Sequence, residues 1–301
     1  MSKPIVVIVS GANRGIGEAI CRGVLSLSQP VILYAASRAG KDLHFNPNAS
    51  TGSQVKYPKL DITDKESIQR LVAEIQSSEN GIDALINNAG VNVDQQYSLE
   101  NVNLTLATNY DGTLSMNQAF LPLVRSRKGR IVNVSSVGSM LKPYSPEIQE
   151  RFRNVQSLAD VDKLRQEYVE NVKNRTETES GWGGQRRAYS VSKALINGLT
   201  RVLAAEEEKQ GSGVLINCCC PGWVSTEMGH LVGNAPKSPG KTLYGHAARH
   251  GCCLTVSSVP FSDDGAKIPL RLAFDDIHGT TGKYWANTSI SGTGYGDVQA
   301  W

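Results

Sequence analysis

The first 27 residues combine two kinds of hydrophobic periodicity. Five consecutive apolar residues, from Ile5 to Val9, are typical of a strand that is buried on both faces of a parallel sheet. After a cluster of glycines, apolar side chains recur at helical spacing from Ile16 to Leu27, with charged and polar residues between them. The pattern therefore predicts a strand, a glycine turn and an amphipathic helix.

The remaining chain repeats this alternation of apolar strands with amphipathic helices. Further helices are predicted from a capping box at Thr63 and Glu66, over residues 99–127 as one long helix, and from Tyr189 onward. Further strands are predicted over residues 31–36, 55–60, 82–86, 131–134, 214–220 and 283–288. The alternation favours a single α/β domain with a doubly wound, parallel, seven-stranded sheet of the Rossmann type, which binds ligands at the carboxyl ends of its strands.

The glycine turn is the first candidate site. Gly11, Gly15 and Gly17 lie between the predicted strand and helix, with the spacing GxxxGxG. Because glycine has no Cβ, the backbone N–H groups at the helix start can approach a pyrophosphate, which the positive end of the helix dipole also favours. A purely structural turn is the alternative, since a glycine cluster alone is weak evidence.

The end of the second predicted strand bears on which dinucleotide would bind. An NAD site places a carboxylate about 20 residues after the glycine turn, on the ribose 2′-hydroxyl. This chain has Ser37 and Arg38 there, no acidic residue between positions 31 and 41, and further positive charge at Arg14 and Lys41. Such a site fits a 2′-phosphate, so the sequence predicts NADPH. The alternative is that Arg38 is an ordinary solvated loop residue.

Composition narrows the class of protein. The chain has 301 residues and a hydrophobic content of 40%. Its formal net charge is only +3, and the charges are interspersed along the sequence. Neither nucleic acid nor a membrane surface is therefore predicted as a partner. No apolar run reaches the roughly 18 residues of a membrane span, and the amino terminus leads directly into the first strand, so we expect a cytoplasmic protein. The six cysteines are expected to be reduced, with Cys218, Cys219 and Cys220 buried in a strand.

Four polar side chains are candidates for catalysis. Asn109 interrupts an apolar helical pattern, and Ser136 follows the fifth strand. Tyr189 and Lys193 have the i, i+4 spacing that puts two side chains on one helical face. A phenol, with a reference pKa of about 10, needs a neighbouring cation to act as an acid or base at neutral pH. Taken singly, each residue could instead be a core amide, a strand-end cap or part of a helix surface.

Taken in order, these motifs make the sequence resemble the short-chain dehydrogenase/reductases, and within them the monomeric NADPH-dependent carbonyl reductases. The resemblance covers residues 5–235 and continues from Asp263. The matching segments are Gly11-xxx-Gly15-x-Gly17, Asn87-Asn88-Ala89-Gly90, Asn109, residues 132–136, residues 145–152, Gly181-Trp182, Tyr189-xxx-Lys193 and residues 219–224. Ser37 departs from the family pattern, because it separates the last alanine of the second strand from Arg38.

The resemblance implies hydride transfer from NADPH to aldehydes, ketones or quinones, with Tyr189 as proton donor. Lys193 would lower the pKa of Tyr189 and bind the nicotinamide ribose, Ser136 would hydrogen-bond the carbonyl oxygen, and Asn109 would hold a water in the proton path. The implied cofactor contacts are Gly11, Asn13, Arg14, Gly15, Ile16, Gly17, Ser37, Arg38, Asp61, Ile62, Asn88, Ala89, Gly90, Tyr189, Lys193, Pro221, Val224 and Thr226. The implied substrate contacts are Ser136, Val137, Trp223 and Met228.

Two other functions remain open on the sequence alone. A regulatory protein that senses the nicotinamide dinucleotide would bind NADPH without turnover, although the complete set of Asn109, Ser136, Tyr189 and Lys193 argues against it. An epimerase or dehydratase would hold NADP tightly, and would normally carry a larger carboxyl-terminal substrate domain.

Two segments depart from a minimal fold of this kind. Residues 142–180 are predicted to be a helical insertion, and the resemblance implies that it covers the surface other members use to dimerise, which predicts a monomer. Residues 240–262 have no counterpart and are predicted to be a loop or a translated intron. They contain His246, His250, Cys252 and Cys253, but adjacent cysteines seldom bind one tetrahedral ion, so no metal is predicted.

Overall fold

The computed structural model describes residues 3–47, 49–224, 226, 228 and 262–301. The strands of these residues are β1 (Ile5–Ser10), β2 (Val31–Ala36), β3 (Gln54–Lys56), β4 (Ala84–Asn87), β5 (Arg130–Val134), β6 (Leu215–Cys219), β7 (Tyr284–Ala286) and β8 (Asp297–Gln299). They form one sheet in the order β3-β2-β1-β4-β5-β6-β7-β8. Neighbouring strands are parallel from β3 to β7, which confirms the predicted doubly wound sheet of a single domain.

The sheet differs from the prediction in its number of strands. It has eight strands in the described residues, one more than predicted, because β8 pairs antiparallel with β7. Between β2 and β3 the described chain has a 3-10 turn, Ala49–Thr51. A strand of three residues such as β8 is too short for hydrophobic alternation to define it.

Helices cover both faces of the sheet. They are α1 (Gly15–Leu25), α2 (Lys65–Ser78), α3 (Leu99–Leu106), α4 (Gly112–Arg125), α5 (Pro146–Arg153), α6 (Leu158–Asn174), α7 (Ala188–Lys209) and α8 (Ser262–Phe274). Side chains of α1 and α8 form the buried core on one face, and those of α2 to α7 form the larger core on the other. Within the part of the chain that the structure describes, no helix is long and apolar enough to cross a membrane.

The start of α2 differs from the predicted capping box. The N-cap is Asp64, whose carboxylate accepts a hydrogen bond from the backbone N–H of Glu66 at 2.9 Å. The hydroxyl of Thr63 instead donates to Oδ1 of Asp61 at 2.7 Å. Both Thr63 and Asp64 are residue types that cap helices, and the hydrogen bond to Asp61 leaves Asp64 as the cap.

The predicted long helix over residues 99–127 is divided. A π-helical turn, Ala107–Asp111, separates α3 from α4 and contains Asn109. The buried residues Leu106 and Met116 flank this turn, so the apolar pattern continues across it. That continuity is why the sequence pattern predicted one helix.

Two helices lie within the segment predicted as an insertion. Ser145 caps α5 by accepting a hydrogen bond from the N–H of Ile148 at 3.3 Å, and Pro146 begins the helix. The apolar stripes of α5 and α6 join the core that includes α7. The buried members of these stripes are Ile148, Phe152, Val161, Leu164, Tyr168 and Val172. The outer face of α7 is therefore covered by α5 and α6.

Candidate active site

The turn between β1 and α1 has the geometry of a phosphate-binding cradle. Gly11 and Gly15 have φ angles of 68° and 57°, in the left-handed region that favours glycine. A Cβ on Gly17 would lie 2.1 Å from the carbonyl oxygen of Gly11, so the turn requires glycine there too. The N-cap residue Arg14 makes no side-chain capping hydrogen bond to α1. The first N–H groups of α1 are thus suited to an anion such as a pyrophosphate.

Ser10, which sequence reasoning missed, links this turn to the end of β4. Its Oγ accepts hydrogen bonds from the N–H groups of Asn88 and Ala89, each at 3.1 Å. In return, Nδ2 of Asn88 donates to the carbonyl oxygens of Ser10 at 3.1 Å and Gly11 at 3.2 Å. The predicted contacts Asn88 and Ala89 therefore lie beside the glycine turn. The position of Ser10 as the last residue of β1 was the signal that could have identified it.

The residues predicted to select the cofactor lie at the carboxyl end of β2. Ser37 is buried, and its Oγ accepts a hydrogen bond from the N–H of Gly40 at 3.2 Å. Arg38 is exposed. Hydrogen bonds from Thr63, together with the charge of Arg38, lower the pKa of Asp61. Arg38 is thus a solvent-facing cation close to Asp61, at the edge where the adenosine part of a dinucleotide would lie.

Three candidate catalytic side chains meet at the carboxyl edge of β5. Nζ of Lys193 lies 5.6 Å from the ring centroid of Tyr189 and donates a hydrogen bond to the carbonyl oxygen of Val134 at 2.7 Å. The hydroxyl of Ser136 lies close enough to that of Tyr189 to lower the pKa of Tyr189. Oγ of Ser136 accepts from the N–H of Gly138 at 3.1 Å. Helix α7 and strand β5 therefore bring a phenol, a hydroxyl and an amine together.

The electrostatics of this group are governed by burial. Burial raises the pKa of Tyr189 to about 12, although the hydroxyl of Ser136 lowers it. Burial lowers the pKa of Lys193 to about 8. Desolvation of the phenolate is therefore the largest influence on the pKa of Tyr189.

Asn109 joins the same region from the π-helical turn. It is fully buried, and its Oδ1 accepts from the N–H of Val91 at 2.8 Å. Its Nδ2 donates to the carbonyl oxygen of Val91 and to Oγ of Ser192, each at 2.9 Å. A Cβ on Gly90 would lie 3.1 Å from Oδ1 of Asn109 and 3.7 Å from Nζ of Lys193. Asn109 thus fixes the chain after β4 next to Lys193, and Ser192 is a partner that sequence reasoning missed.

The other predicted contacts are distributed around the same edge of the sheet. Thr226 lies beside the turn, because a Cβ on Gly15 would be 3.3 Å from its methyl group. Val137 is 41% exposed, as a residue at an open substrate site would be. Of the remaining predicted contacts, Asn13 is exposed, and Ile62 and Val224 are buried. The half-buried ones are Ile16, Gly90, Pro221, Trp223 and Met228.

Two further sequence-based interpretations concern cysteine and metal. Cys218, Cys219 and Cys220 are buried at β6 and its end, as predicted, and burial raises the pKa of each thiol. In the described ranges, no three His, Cys, Asp or Glu side chains are grouped so that they could hold a metal ion. Residues 240–262, on which the loop and metal interpretations depend, lie almost wholly outside those ranges.

Asp94 is the functional candidate that the sequence did not indicate. Its carboxylate, in the segment after β4, accepts hydrogen bonds from the backbone N–H of Tyr189 at 3.1 and 3.3 Å. No motif marks it, because its partner is a backbone group 95 positions away in the sequence.

Comparison with known protein families identifies the same segments. The sequence model of the short chain dehydrogenase family matches residues 5–146 and 179–236. The unmatched interval between these two ranges contains nearly all of α5 and all of α6. The family match therefore includes the glycine turn, Asn109, Ser136, Tyr189 and Lys193.

Individual relatives point in the same direction. The chain is 35% identical over 244 residues to NADPH carbonyl reductase 1 of the rabbit, Oryctolagus cuniculus, which covers 78% of this chain and 86% of that protein. It is 34% identical over 232 residues to NADPH carbonyl reductase 3 of the rat, Rattus norvegicus. That alignment covers 74% of this chain and 83% of the rat protein.

Solved structures agree with the fold. Salutaridine reductase from Papaver somniferum has a TM-score of 0.73 at 25% identity, with coverage of 93% of this chain and 99% of that one. NADPH-bound carbonyl reductase from chicken fatty liver has a TM-score of 0.61 at 22% identity, with full coverage of both chains. At that identity, the second likeness concerns the fold alone.

Proposed function

Since the chain belongs to the short-chain dehydrogenase family, we propose that it reduces aldehydes, ketones or quinones to alcohols with NADPH. The proposal rests on one observation. The side chains of Tyr189, Ser136 and Lys193 lie close together at the carboxyl end of β5, and the glycine turn lies at the same edge of the sheet. The names of the related carbonyl reductases support this substrate class.

The residues around the glycine turn fit a bound dinucleotide. NADPH would supply the hydride that reduces the substrate carbonyl carbon. The first N–H groups of α1 would bind its pyrophosphate, in the cradle that a Cβ on Gly11 or Gly17 would fill. Arg38 would bind the 2′-phosphate, and Lys193 the nicotinamide ribose. A charge-assisted contact from Arg38 favours NADPH over NADH, which has no phosphate at that position.

The raised pKa of Tyr189 suits a proton donor. A pKa of about 12 keeps the phenol protonated at neutral pH, so Tyr189 can transfer a proton to the carbonyl oxygen as negative charge develops there. Ser136, whose hydroxyl is close enough to lower the pKa of Tyr189, would hold the same oxygen. Lys193, with a pKa of about 8, is mostly protonated at neutral pH and would stabilise the resulting phenolate.

Consumption of NADPH with a panel of aldehydes, ketones and quinones tests this proposal. Tyr189→Phe removes only the hydroxyl, and we expect it to lower kcat by about 100-fold or more, in line with the contribution of general acid catalysis. Tyr295→Phe is the matched control, because that tyrosine is 60% exposed. A wild-type protein that binds NADPH but oxidises it with none of the panel would contradict the proposal and favour a sensor.

We also propose that the protein is a cytoplasmic monomer. The monomeric state is supported by the close packing of the helical insertion against α7. A Cβ added to Gly198 of α7 would lie only 3.5 Å from the side chain of Val161 and 3.6 Å from that of Val155. This surface is therefore closed to another subunit. Light scattering at micromolar concentration should give the monomer mass, and a dimer mass would contradict it.

A further inference from the structure

The amino terminus of α7 is capped by a residue that is distant in the sequence. The N–H groups in the first turn of a helix have no partner within the helix. The N-cap residue Arg187 makes no side-chain capping hydrogen bond. Instead, both carboxylate oxygens of Asp94 accept from the N–H of Tyr189, at 3.1 and 3.3 Å. Asp94 therefore binds the backbone of the tyrosine itself.

The segment that carries Asp94 is anchored on both sides. Before it, the N–H and carbonyl groups of Val91 are hydrogen-bonded to the buried Asn109. After it, the hydroxyl of Tyr97 donates to the carboxylate of Glu177, which is also buried. Asp94 is thus held in place by the structure around it, and is able to fix the position of α7.

The charge of Asp94 depends on several groups that surround it. Arg187 is the cation near it, and Tyr97, Tyr144, Tyr168 and Tyr189 are the titratable neighbours within electrostatic range. Burial raises the pKa of Asp94 to about 6, despite the backbone N–H groups of Tyr189 and Ala188 and the charge of Arg187. The carboxylate is therefore charged at neutral pH and becomes protonated in mild acid.

We propose that Asp94 is a positioning residue for the reaction, which fixes the first turn of α7 and thereby the place where Tyr189 presents its hydroxyl. The inference rests on the proposed function, because the step that it serves is proton donation by Tyr189. Tyr189 is the second residue of α7, in the turn of a helix that most readily frays. Displacement of a reacting group by about 1 Å can cost roughly 100-fold in rate, so the anchor matters for kcat.

Two substitutions separate the hydrogen bonds from the charge. Asp94→Ala removes the acceptor, and we expect kcat to fall about tenfold while the Kd for NADPH stays within about twofold, because the glycine turn is untouched. Asp94→Asn keeps one neutral acceptor oxygen, which is weaker than a carboxylate, so its kcat at neutral pH should lie between those of Asp94→Ala and the wild type. The matched control is Asp64→Ala, which removes the carboxylate that caps α2 and should leave kcat unchanged.

The dependence of kcat on pH gives a readout that a general loss of stability would not change. In the wild type, kcat should fall as the pH drops through about 6, because protonation weakens the carboxylate as a hydrogen-bond acceptor. Asp94→Asn has no proton to gain and should lack this decline. The pH profile of Asp94→Asn therefore tests the positioning role even if Asp94→Ala does not fold. An acid decline in Asp94→Asn equal to that of the wild type would overturn the proposal.

Hydrogen exchange tests the anchor without turnover. The amide of Tyr189 should exchange faster in Asp94→Asn than in the wild type, and faster still in Asp94→Ala, whereas Asp64→Ala should leave it unchanged. Unchanged exchange at Tyr189, or a wild-type kcat in Asp94→Ala, would refute the role of Asp94. Failure of the wild type to oxidise NADPH with any carbonyl would count against the proposed function alone.

Discussion

Replacing Gly17 by alanine tests whether the glycine turn is as tightly constrained as its geometry indicates. The added Cβ would lie 2.1 Å from the carbonyl oxygen of Gly11 and 2.5 Å from Nδ2 of Asn88. The first of these atoms belongs to the backbone. The second is held by hydrogen bonds to the carbonyl oxygens of Ser10 and Gly11. Neither can move away by a side-chain rotation, so the turn itself must change.

The expected cost combines three contributions. Overpacking costs about 1–3 kcal/mol, and each of the two hydrogen bonds of Asn88 that is lost costs about 1 kcal/mol. The better helix propensity of alanine returns about 1 kcal/mol. The free energy of unfolding of Gly17→Ala should therefore fall by about 1–4 kcal/mol. Because the displaced turn carries the N–H groups that would bind the pyrophosphate, the Kd for NADPH should rise at least about tenfold, or about 1.4 kcal/mol.

Gly198→Ala is the matched control. It is also a buried helical glycine, but its added Cβ would meet Val161 and Val155 at 3.5 and 3.6 Å, which is ordinary van der Waals contact. It should gain about 0.4–1 kcal/mol of stability and leave NADPH binding unchanged. Urea denaturation followed by fluorescence measures the first quantity, and fluorescence titration with NADPH the second. A Gly17→Ala protein with wild-type values in both experiments would refute the cradle.

Three further predictions follow from the site and the sequence. Arg38→Ala should reduce the preference for NADPH over NADH in kcat/KM by roughly 10–150-fold, unlike Arg70→Ala on the exposed face of α2, and an unchanged preference would exclude Arg38 as the phosphate contact. Titration of the buried thiols of Cys218, Cys219 and Cys220 lowers the free energy of unfolding above about pH 8 in the wild type and in variants that keep them. Lys193 should add an upward slope to this background, by up to about 3 kcal/mol between pH 8 and about 10, because the unfolded chain keeps a proton that Lys193 releases with a pKa of about 8. Lys193→Met should lose this slope, and an equal slope in both proteins would contradict the burial effect. Deletion of residues 240–262 should keep the fold and change KM for the carbonyl substrate more than for NADPH, whereas an insoluble variant would contradict this prediction.

The sequence predicts an element well when side-chain burial defines that element, and poorly when the element is short or when backbone hydrogen bonds define the contact. The strand β2 was predicted with its observed bounds, because both its faces are buried and its residues form a continuous apolar run. The strand β8 was missed, since it has three residues and its central Val298 is 47% exposed. Asp94 was missed for a different reason: it bonds to a backbone N–H group, and such groups leave no signature in a sequence.

The candidate site was predictable where the chemistry needs particular residue types at fixed spacing. The i, i+4 spacing of Tyr189 and Lys193 was sufficient to place both on one face of α7. The pKa of Tyr189 was not predictable, because it depends on the depth of burial as well as on the neighbouring amine. Sequence spacing determines which groups meet, whereas their desolvation depends on packing by the whole fold.

The π-helical turn at Ala107–Asp111 has a consequence for evolution by insertion and deletion. Each residue of an α-helix turns the chain by about 100°, and a π-helical turn holds one residue beyond the α repeat. Loss of a single codon here would restore a continuous helix and leave α3 and α4 in their present rotation, because the extra residue is accommodated within the one wide turn. The buried Val102 and Leu106 would stay in the core, but the tighter turn would displace Asn109 from Val91. The extra residue therefore serves the placement of Asn109 more than the packing of the two helices.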